Sequence, residues 1–242
     1  MDIIKRLYSS LIEDHFKDNR QMVFVAGPRQ VGKTTTCRQM TDYYLNWDNS
    51  DDRELILAGP QALSQFAGLD TLRENKTTLL FDELHKFPGW KSLLKGFFDT
   101  YADEIRIAVT GSSRMDVYRK GGDSLMGRYF LYRMHPFTVG EVLHTAMPSD
   151  IIHSPSPIDD GEFNALWEFG GYPEPFIKRD RRFSNRWQRL RHEQLISEDI
   201  RNMTQIQQIA QLEVLVNILM ERSSSQVVYS NLAKNVRISV DT

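Results

Sequence analysis

The stretch GPRQVGKTT, Gly27–Thr35, follows five apolar residues, MVFVA, that predict a buried strand. Gly27, Gly32, Lys33 and Thr34 fit the spacing G-x-x-x-x-G-K-[ST]. The spacing matters because a loop that wraps a phosphate with its backbone N–H groups needs glycine where the backbone comes close to the anion. The stretch therefore predicts a phosphate-binding loop between a strand and a helix.

Two side chains of this loop have distinct expected roles. Lys33 would neutralise β- and γ-phosphates, and the Thr34 hydroxyl would bind Mg²⁺. A helix that begins near Lys33 would point the positive end of its dipole at the anion. We expect ATP or ADP with Mg²⁺, bound by Gly27, Pro28, Arg29, Gln30, Val31, Gly32, Lys33, Thr34 and Thr35.

A second motif, TTLLFDEL, predicts a strand that ends in two carboxylates, Asp82 and Glu83. We expect Asp82 to hold Mg²⁺, and Glu83 to point to the other side of the strand end and activate a water. A small-molecule kinase must exclude water from its site, so Glu83 favours ATP hydrolysis over phosphoryl transfer.

Three further polar residues are candidates for contact with the γ-phosphate. Thr110 and Ser112 end the strand of IAVTGSSR, although both could instead cap a helix that begins near Ser113. Arg128 precedes another strand, and its guanidinium suits a transition-state phosphate. A surface salt bridge is the alternative for Arg128.

The alternation of strands and helices predicts the fold class. Most of the strand segments are separated by segments of helical pattern such as WKSLLKGFFDTY (90–101), which predicts an α/β fold with a five-stranded parallel sheet covered by helices on both faces. The five predicted strands are MVFVA (22–26), YYLNW (43–47), TTLLF (77–81), IRIAV (105–109) and RYFLYRM (128–134).

Composition limits the classes of protein and the cellular compartments that fit this chain. The formal charge of −2 over 242 residues gives no global attraction to nucleic acid. The lone cysteine, Cys37, excludes an intramolecular disulfide, and no signal peptide is recognisable at the N-terminus. No run approaches the ~18 apolar residues of a membrane span, so we expect a cytoplasmic protein without membrane contact.

The pattern changes after about residue 150. Residues 148–161 are rich in Pro, Ser and Asp and predict a linker, after which the pattern is helical. Residues 178–191 are strongly basic, with Phe183 and Trp187 interleaved, and could contact a nucleic-acid backbone, nucleotide phosphates or a neighbouring subunit. YSNLAKNVRISVDT predicts the start of a helix-turn-helix, with Ser230 as N-cap, Leu232 and Ala233 packed inward, a turn near Arg237, and Ser239 opening a second helix.

The order of these motifs resembles the AAA+ ATPases, a class of P-loop NTPases of the ASCE type. GPRQVGKTT, FDELHKFPGWKSLLKGFFDTY, VTGSSRMDVYRKGGDSLMGRYFLYRMHPF and GGYPEPF are similar to a prokaryotic AAA+ family of predicted ATPases. In that family a winged-helix segment and a further domain follow the ATPase core. The resemblance implies an ATPase core at 1–150, a helical lid-like segment at 151–205 and the beginning of a winged-helix-like segment at 206–242, with the chain truncated at its C-terminus.

The resemblance also implies site roles. Gly27, Gly32, Lys33 and Thr34 match the Walker A loop, and Asp82 and Glu83 the Walker B pair. By similarity to clamp-loader relatives, Arg128 is a candidate arginine finger acting in trans, which requires a homo-oligomer. The turn GGYP suggests that Gly171 and Pro173 contact the nucleotide base, with a plain helix-terminating turn as the alternative.

Three hypotheses follow from these residues. The first is an Mg²⁺-dependent ATPase in which Lys33, Glu83 and Arg128 serve catalysis. The second is a nucleotide-dependent switch that hydrolyses slowly while its tail engages DNA or protein. The third is a DNA-binding regulator that uses the basic segment at 178–191.

Overall fold

Five parallel strands form one sheet in the part of the chain that the structure describes. The computed structural model describes residues 4–71, 75–112, 125–147, 154–196 and 209–237. The strands lie in the order β2-β3-β4-β1-β5, and every neighbouring pair is parallel. They are β1 Met22–Ala26, β2 Tyr43–Asn46, β3 Thr77–Asp82, β4 Ile105–Gly111 and β5 Tyr129–Arg133. The predicted strands and fold class are confirmed, with strand ends shifted by at most two residues.

The described helices lie mostly between and after these strands. Two compact units are present, residues 1–178 and residues 179–242. The first contains α1 Leu7–Asp18, α2 Lys33–Arg38, α3 Ser50–Leu57, α4 Pro60–Phe66, a 3₁₀ turn Leu84–Lys86, α5 Trp90–Tyr101, α6 Val139–Leu143, α7 Asp160–Phe169 and α8 Pro173–Lys178. The second contains α9 Arg181–Gln194, α10 Ile209–Glu221 and α11 Tyr229–Val236.

The interior strand β1 shows that the sheet is covered on both faces. All five of its residues are buried, and successive side chains point to opposite faces. Met22, Phe24 and Ala26 pack into the cluster formed with α3, α4 and α5, while Val23 and Val25 pack into the cluster formed with α1 and α2. A strand buried on both faces must be apolar throughout, which is why MVFVA is a continuous apolar run.

Parallel pairing brings the functional segments to one edge of the sheet. Ala26, the last residue of β1, pairs with Gly111 of β4 and Arg133 of β5. Asp82, at the end of β3, pairs with Thr110 of β4. The loop Gly27–Thr35, the predicted carboxylate pair and the polar end of β4 therefore share the carboxyl edge, where open α/β sheets bind ligands.

The predicted linker, residues 148–161, ends earlier in the structure than the sequence predicted. Residues 148–153 of the predicted linker lie outside the described residues, and residues 154–159 form neither helix nor strand. Helix α7 begins at Asp160 because the Asp159 side chain accepts hydrogen bonds from the N–H groups of Gly161 and Glu162. The predicted linker therefore ends two residues too late.

The last described helix, α11, begins earlier than the sequence predicted. Helix α11 begins at Tyr229 with Val228 as N-cap, not Ser230, because the N–H groups of Asn231 and Leu232 both donate to the carbonyl of Val228. Leu232 and Ala233 are buried as predicted. The chain turns at Arg237, whose left-handed backbone (φ 60°) ends the helix.

Two further features were predicted from the sequence, namely a second helix after α11 and a division of the chain into three segments. A second helix from Ser239 lies outside the described residues. The division at 1–150, 151–205 and 206–242 and the winged-helix assignment stay predictions.

None of the described helices combines the length and the apolar character needed to cross a bilayer.

Gly27 offers a direct test of how the loop joins the sheet. A Cβ atom at this position would collide with the carbonyl oxygen of Met134, whose N–H donates to Ala26 at 2.8 Å. We expect Gly27→Ala to lower the free energy of unfolding by about 1–3 kcal/mol or more, measured by denaturant titration.

Gly96→Ala is the matched control. Gly96 lies in α5 with open space where a Cβ would stand, so alanine should raise the free energy of unfolding by about 0.5–1 kcal/mol. Equal effects of the two substitutions would contradict the packing of Gly27 against Met134, the residue that follows β5.

Candidate nucleotide-binding site

Two residues of the loop between β1 and α2 have left-handed backbone conformations, which are costly for most residues. Gly32 has φ 94° and ψ 15° and forms the N-cap of α2. Glycine has no Cβ to clash in this left-handed region, which explains the second glycine of the motif. Gln30 also lies there, with φ 64°, at a conformational cost that a non-glycine residue bears.

Lys33 lies inside the loop. Its side chain is buried, and its ammonium group donates to the carbonyl oxygens of Gly27, at 3.0 Å, and Pro28, at 2.8 Å. The loop thus curls around a buried positive charge. A backbone ring around an ammonium group is a suitable place for an anion, because both the charge and the adjacent N–H groups favour it.

The Asp82 carboxylate at the end of β3 accepts three hydroxyl hydrogen bonds. Thr34 donates to Oδ2 at 2.9 Å, and Tyr44 donates to the same oxygen at 3.0 Å. Thr110 donates to Oδ1. Asp82 and Thr110 are both buried, so the orientation of this carboxylate is fixed from both sides.

Tyr44 is a site residue that the sequence analysis missed. Burial and the neighbouring Asp82 charge raise the pKa of its phenol to about 12, so the hydroxyl stays protonated at neutral pH and can donate. The Arg38 guanidinium lies 4.2 Å from the centre of its ring. No local pattern marks Tyr44, because its role depends on β2 lying beside β3 in the sheet.

Glu83 leaves the strand in another direction. Its φ of 55° is left-handed, and its N–H donates to the carbonyl of Thr110 at 3.1 Å. Its Oε2 atom lies 3.4 Å from Lys86 Nζ and 3.8 Å from His85 Nε2. The two adjacent carboxylates therefore have different neighbours, which permits different roles.

The two hydroxyl candidates on β4 are also separated. Thr110 contacts Asp82, whereas Ser112 Oγ lies 3.4 Å from His85 Nε2, on the Glu83 side. Burial lowers the pKa of His85 from its ordinary value, although the Glu83 charge opposes this, so a neutral ring is favoured. The helix expected near Ser113 lies outside the described residues.

Arg128 does not lie at this site in its own chain. Its guanidinium forms two hydrogen bonds to Asp99 of α5, at 2.6 and 2.9 Å. Its carbonyl accepts from Met22 N–H, at the amino end of β1, whereas the loop Gly27–Thr35 follows the carboxyl end. The strand separates the two by about 13 Å at the usual rise per residue.

The GGYP turn does lie beside the loop. It follows α7, which ends at Phe169 with Gly170 (φ 74°) as its C-cap, so the helix-terminating turn is present. A Cβ on Gly32 would stand 3.8 Å from Pro173 Cγ. Gly171 packs against Phe137, whose N–H donates to its carbonyl at 2.6 Å. Contact of Gly171 and Pro173 with a nucleotide base stays a prediction.

Arg6 and Glu141 are two more residues near the loop that the sequence did not indicate. Both are buried, and Arg6 donates to the carbonyl of Val31 at 2.6 Å. Arg6 is 25 residues from Val31 and 135 from Glu141, so no local spacing marks the group.

Comparison with known proteins gives two family matches. Residues 19–143 match the family described as AAA domain, and residues 160–242 match a domain of unknown function. The AAA domain match covers more than half of the 242 residues.

Two curated relatives, uncharacterized proteins of Mycobacterium bovis and Mycobacterium tuberculosis, are each 26% identical over 170 residues, 69% of this chain. The match covers 33% of each relative, so the chain spans about a third of their length. Among solved structures, AMPPCP-bound DnaA from Aquifex aeolicus is 12% identical, with a TM-score of 0.46 over 96% of this chain and 82% of that one.

Proposed function

The chain belongs to the AAA domain family, and we propose that it binds ATP and hydrolyses it with the help of Mg²⁺. The observation that carries the proposal is the 2.9 Å hydrogen bond from Thr34 to Asp82, beneath a loop that surrounds Lys33. This contact joins the motif that would bind phosphate to the carboxylate that would bind metal. A structural loop alone would not need both.

The loop Gly27–Thr35 binds the phosphates in this proposal. In this proposal Lys33, whose ammonium group now lies against the Gly27 and Pro28 carbonyls, moves its hydrogen bonds to the β- and γ-phosphates of ATP. The loop amides from Gly27 to Thr35 supply the remaining donors. ADP, which keeps the β-phosphate, binds at the same place.

The residues present fit a magnesium ion. Mg²⁺ prefers hard oxygen ligands and usually keeps several waters beside one or two protein groups and the substrate phosphates. The Thr34 hydroxyl and the Asp82 carboxylate are two such oxygens, and Tyr44 and Thr110 hold the carboxylate in place. When bound, the ion neutralises charge on the phosphate oxygens.

Glu83 is the proposed general base. Its carboxylate takes a proton from the attacking water as the new oxygen–phosphorus bond forms and the bond to the β-phosphate oxygen breaks, which leaves ADP and phosphate. Lys86 and His85 lie beside this carboxylate and orient it. A carboxylate that can activate water supports hydrolysis over transfer to a second substrate.

Arg128 and the GGYP turn complete the proposal. Because Arg128 lies at the opposite edge of the sheet from its own loop, it can act only in the site of a second copy, after its bond to Asp99 opens. Thr110 or Ser112 would sense the γ-phosphate, and Gly171 and Pro173 would contact the base. A homo-oligomer is therefore part of the proposal.

We expect Glu83→Gln to lower ATP turnover at least about 100-fold while leaving ADP affinity unchanged, because glutamine keeps the shape but cannot take a proton. Turnover is measured by phosphate release at several protein concentrations. Glu104→Gln is the matched control, since Glu104 is exposed and precedes β4 at the opposite edge of the sheet.

Equal turnover in wild type and Glu83→Gln would contradict the assigned base. Wild-type turnover below about one per minute with tight ADP binding would instead support a nucleotide-dependent switch.

Arg128→Ala should reduce turnover without loss of ADP affinity, and only at protein concentrations where the chain self-associates.

A second candidate function is binding of the chain's second unit to duplex DNA. The specific observation is the exposed face of α9, where four arginines lie within an arc of about 140°. Phe183 is partly buried and Trp187 is buried, so the interleaved aromatic residues pack inward and are not available to stack on bases. The arginines of this face are Arg181, Arg182, Arg186 and Arg189.

An arginine face without exposed aromatic rings fits phosphates, not bases. We expect the apparent Kd for a random-sequence duplex to rise with salt, and replacement of the four α9 arginines by glutamine to reduce the log–log slope by about 3–4. Binding is measured by fluorescence anisotropy.

The charge-matched control replaces four exposed basic residues of the first unit with glutamine, namely Lys5, Lys17, Arg20 and Lys76. Loss of slope in this control but not in the α9 variant would contradict the assignment. So would an absence of wild-type binding at low salt.

A further inference from the structure

A buried arginine–glutamate pair lies behind the phosphate-binding loop. Arg6 is 4% exposed and Glu141 is 6% exposed. Two hydrogen bonds join them, Nε to Oε1 at 2.6 Å and Nη2 to Oε2 at 3.0 Å. Oε1 also accepts from the N–H of Leu7, at 3.0 Å, where α1 begins. The carboxylate thus holds both the guanidinium and the start of the first helix.

Two further N–H groups of Arg6 donate to backbone carbonyls. Nη1 donates to Val31 at 2.6 Å, and Nη2 donates to His135 at 2.7 Å. A guanidinium has five N–H donors in a rigid, planar fork, so it can hold a carboxylate and two carbonyls at once. A lysine ammonium or an apolar side chain cannot reproduce this set. Charge neutralisation alone therefore does not account for an arginine at this place.

The bond to the Val31 carbonyl orients a peptide whose N–H, that of Gly32, would face the phosphate. The carbonyl of Val31 and the N–H of Gly32 belong to one planar trans peptide, in which the two groups point in opposite directions. Holding the carbonyl against Arg6 on one side therefore aims the Gly32 N–H to the other side. Because Gly32 has φ 94° and forms the N-cap of α2, this peptide sets where the helix begins.

The same pair touches the block that carries the GGYP turn. The Arg6 guanidinium lies 4.2 Å from the centre of the Phe137 ring, and Phe137 N–H donates to the carbonyl of Gly171. Glu141 lies in α6, which begins where Thr138 accepts a hydrogen bond from its N–H. A Cβ built on Gly32 would stand 3.8 Å from Pro173 Cγ, so the turn lies close to the loop. The loop and the turn thus share one buried support.

We propose that Arg6 and Glu141 are a positioning pair that fixes the Val31–Gly32 peptide for the nucleotide's phosphates and couples it to the Gly171–Pro173 turn. The inference rests on the proposed nucleotide-binding function and adds to it two residues outside the recognised motifs. Neither residue touches the nucleotide in this account; both act through the backbone of the loop.

The test compares ADP affinity with stability. Arg6→Lys keeps a positive charge beside Glu141 but lacks the fork, and Glu141→Gln keeps the shape of the acceptor but lacks its charge. Removal of the whole Arg6 side chain would leave a buried carboxylate unpaired, so these milder variants are preferred. We expect each to weaken ADP binding at least 10-fold, measured by isothermal titration calorimetry where all variants are folded.

Two controls separate positioning from general loss of stability. Leu94→Ala removes a fully buried side chain from α5, in the core on the other sheet face, and should destabilise the protein while leaving ADP affinity within about twofold. Lys17→Gln breaks the exposed Lys17–Asp14 pair of α1 and should change neither quantity appreciably.

The coupling is read from hydrogen exchange. ADP should slow amide exchange at Gly171 and Tyr172 in wild type, and this protection should be reduced in Arg6→Lys even at saturating ADP. If wild type binds ADP and both pair variants bind it equally well, the inference is wrong. If wild type does not bind ADP, the proposed function itself fails.

Discussion

The hydrogen bond from Thr34 to Asp82 joins two segments that are 48 residues apart, and the arrangement of the site depends on it. One partner lies in the first turn of the helix after the loop Gly27–Thr35, and the other ends a buried strand. Their meeting requires that β1 and β3 run parallel with β4 between them. Without that sheet order, the loop would surround a lysine but would have no carboxylate beneath it.

Burial then turns this contact into a fixed geometry. Asp82, Thr110 and Lys33 are all nearly inaccessible to solvent, although each carries a polar group. A polar group that is removed from water is costly unless it is hydrogen-bonded, so these side chains have little freedom to move apart. The cost is offset by the apolar clusters on both faces of the sheet. Stability and site geometry therefore have the same source.

The sequence predicted the elements whose signals are local. The loop, five strands, the fold class and Asp82 beside the loop follow from spacing and from apolar runs, because both are written in consecutive residues. Tyr44, Arg6 and Glu141 were missed because their partners lie far away in sequence. The N-cap at Ser230 was wrong because a serine inside the first turn resembles a cap, whereas the backbone bonds begin at Val228.

Arg128 shows a further limit of sequence reasoning. Its position before β5 follows from the sequence pattern and its expected role from the resemblance to AAA+ proteins, but its pairing with Asp99 depends on how α5 packs. A motif gives the order of residues along the chain and not which charged partner each will meet. The environments of the two arginine pairs could not be predicted from local sequence either: the Arg6–Glu141 pair is buried, whereas the Arg128–Asp99 pair is partly exposed.

The central claim is that the Gly27–Thr35 loop and Asp82 form one site for a nucleotide and its metal ion. A crystal structure with a non-hydrolysable ATP analogue and Mg²⁺ tests it most directly. We predict the β- and γ-phosphates inside the loop, Lys33 in contact with them, and the ion about 2.1 Å from the Thr34 hydroxyl, on the Asp82 side. A nucleotide bound elsewhere, or phosphates outside the loop with Thr34 still bonded to Asp82, would contradict it.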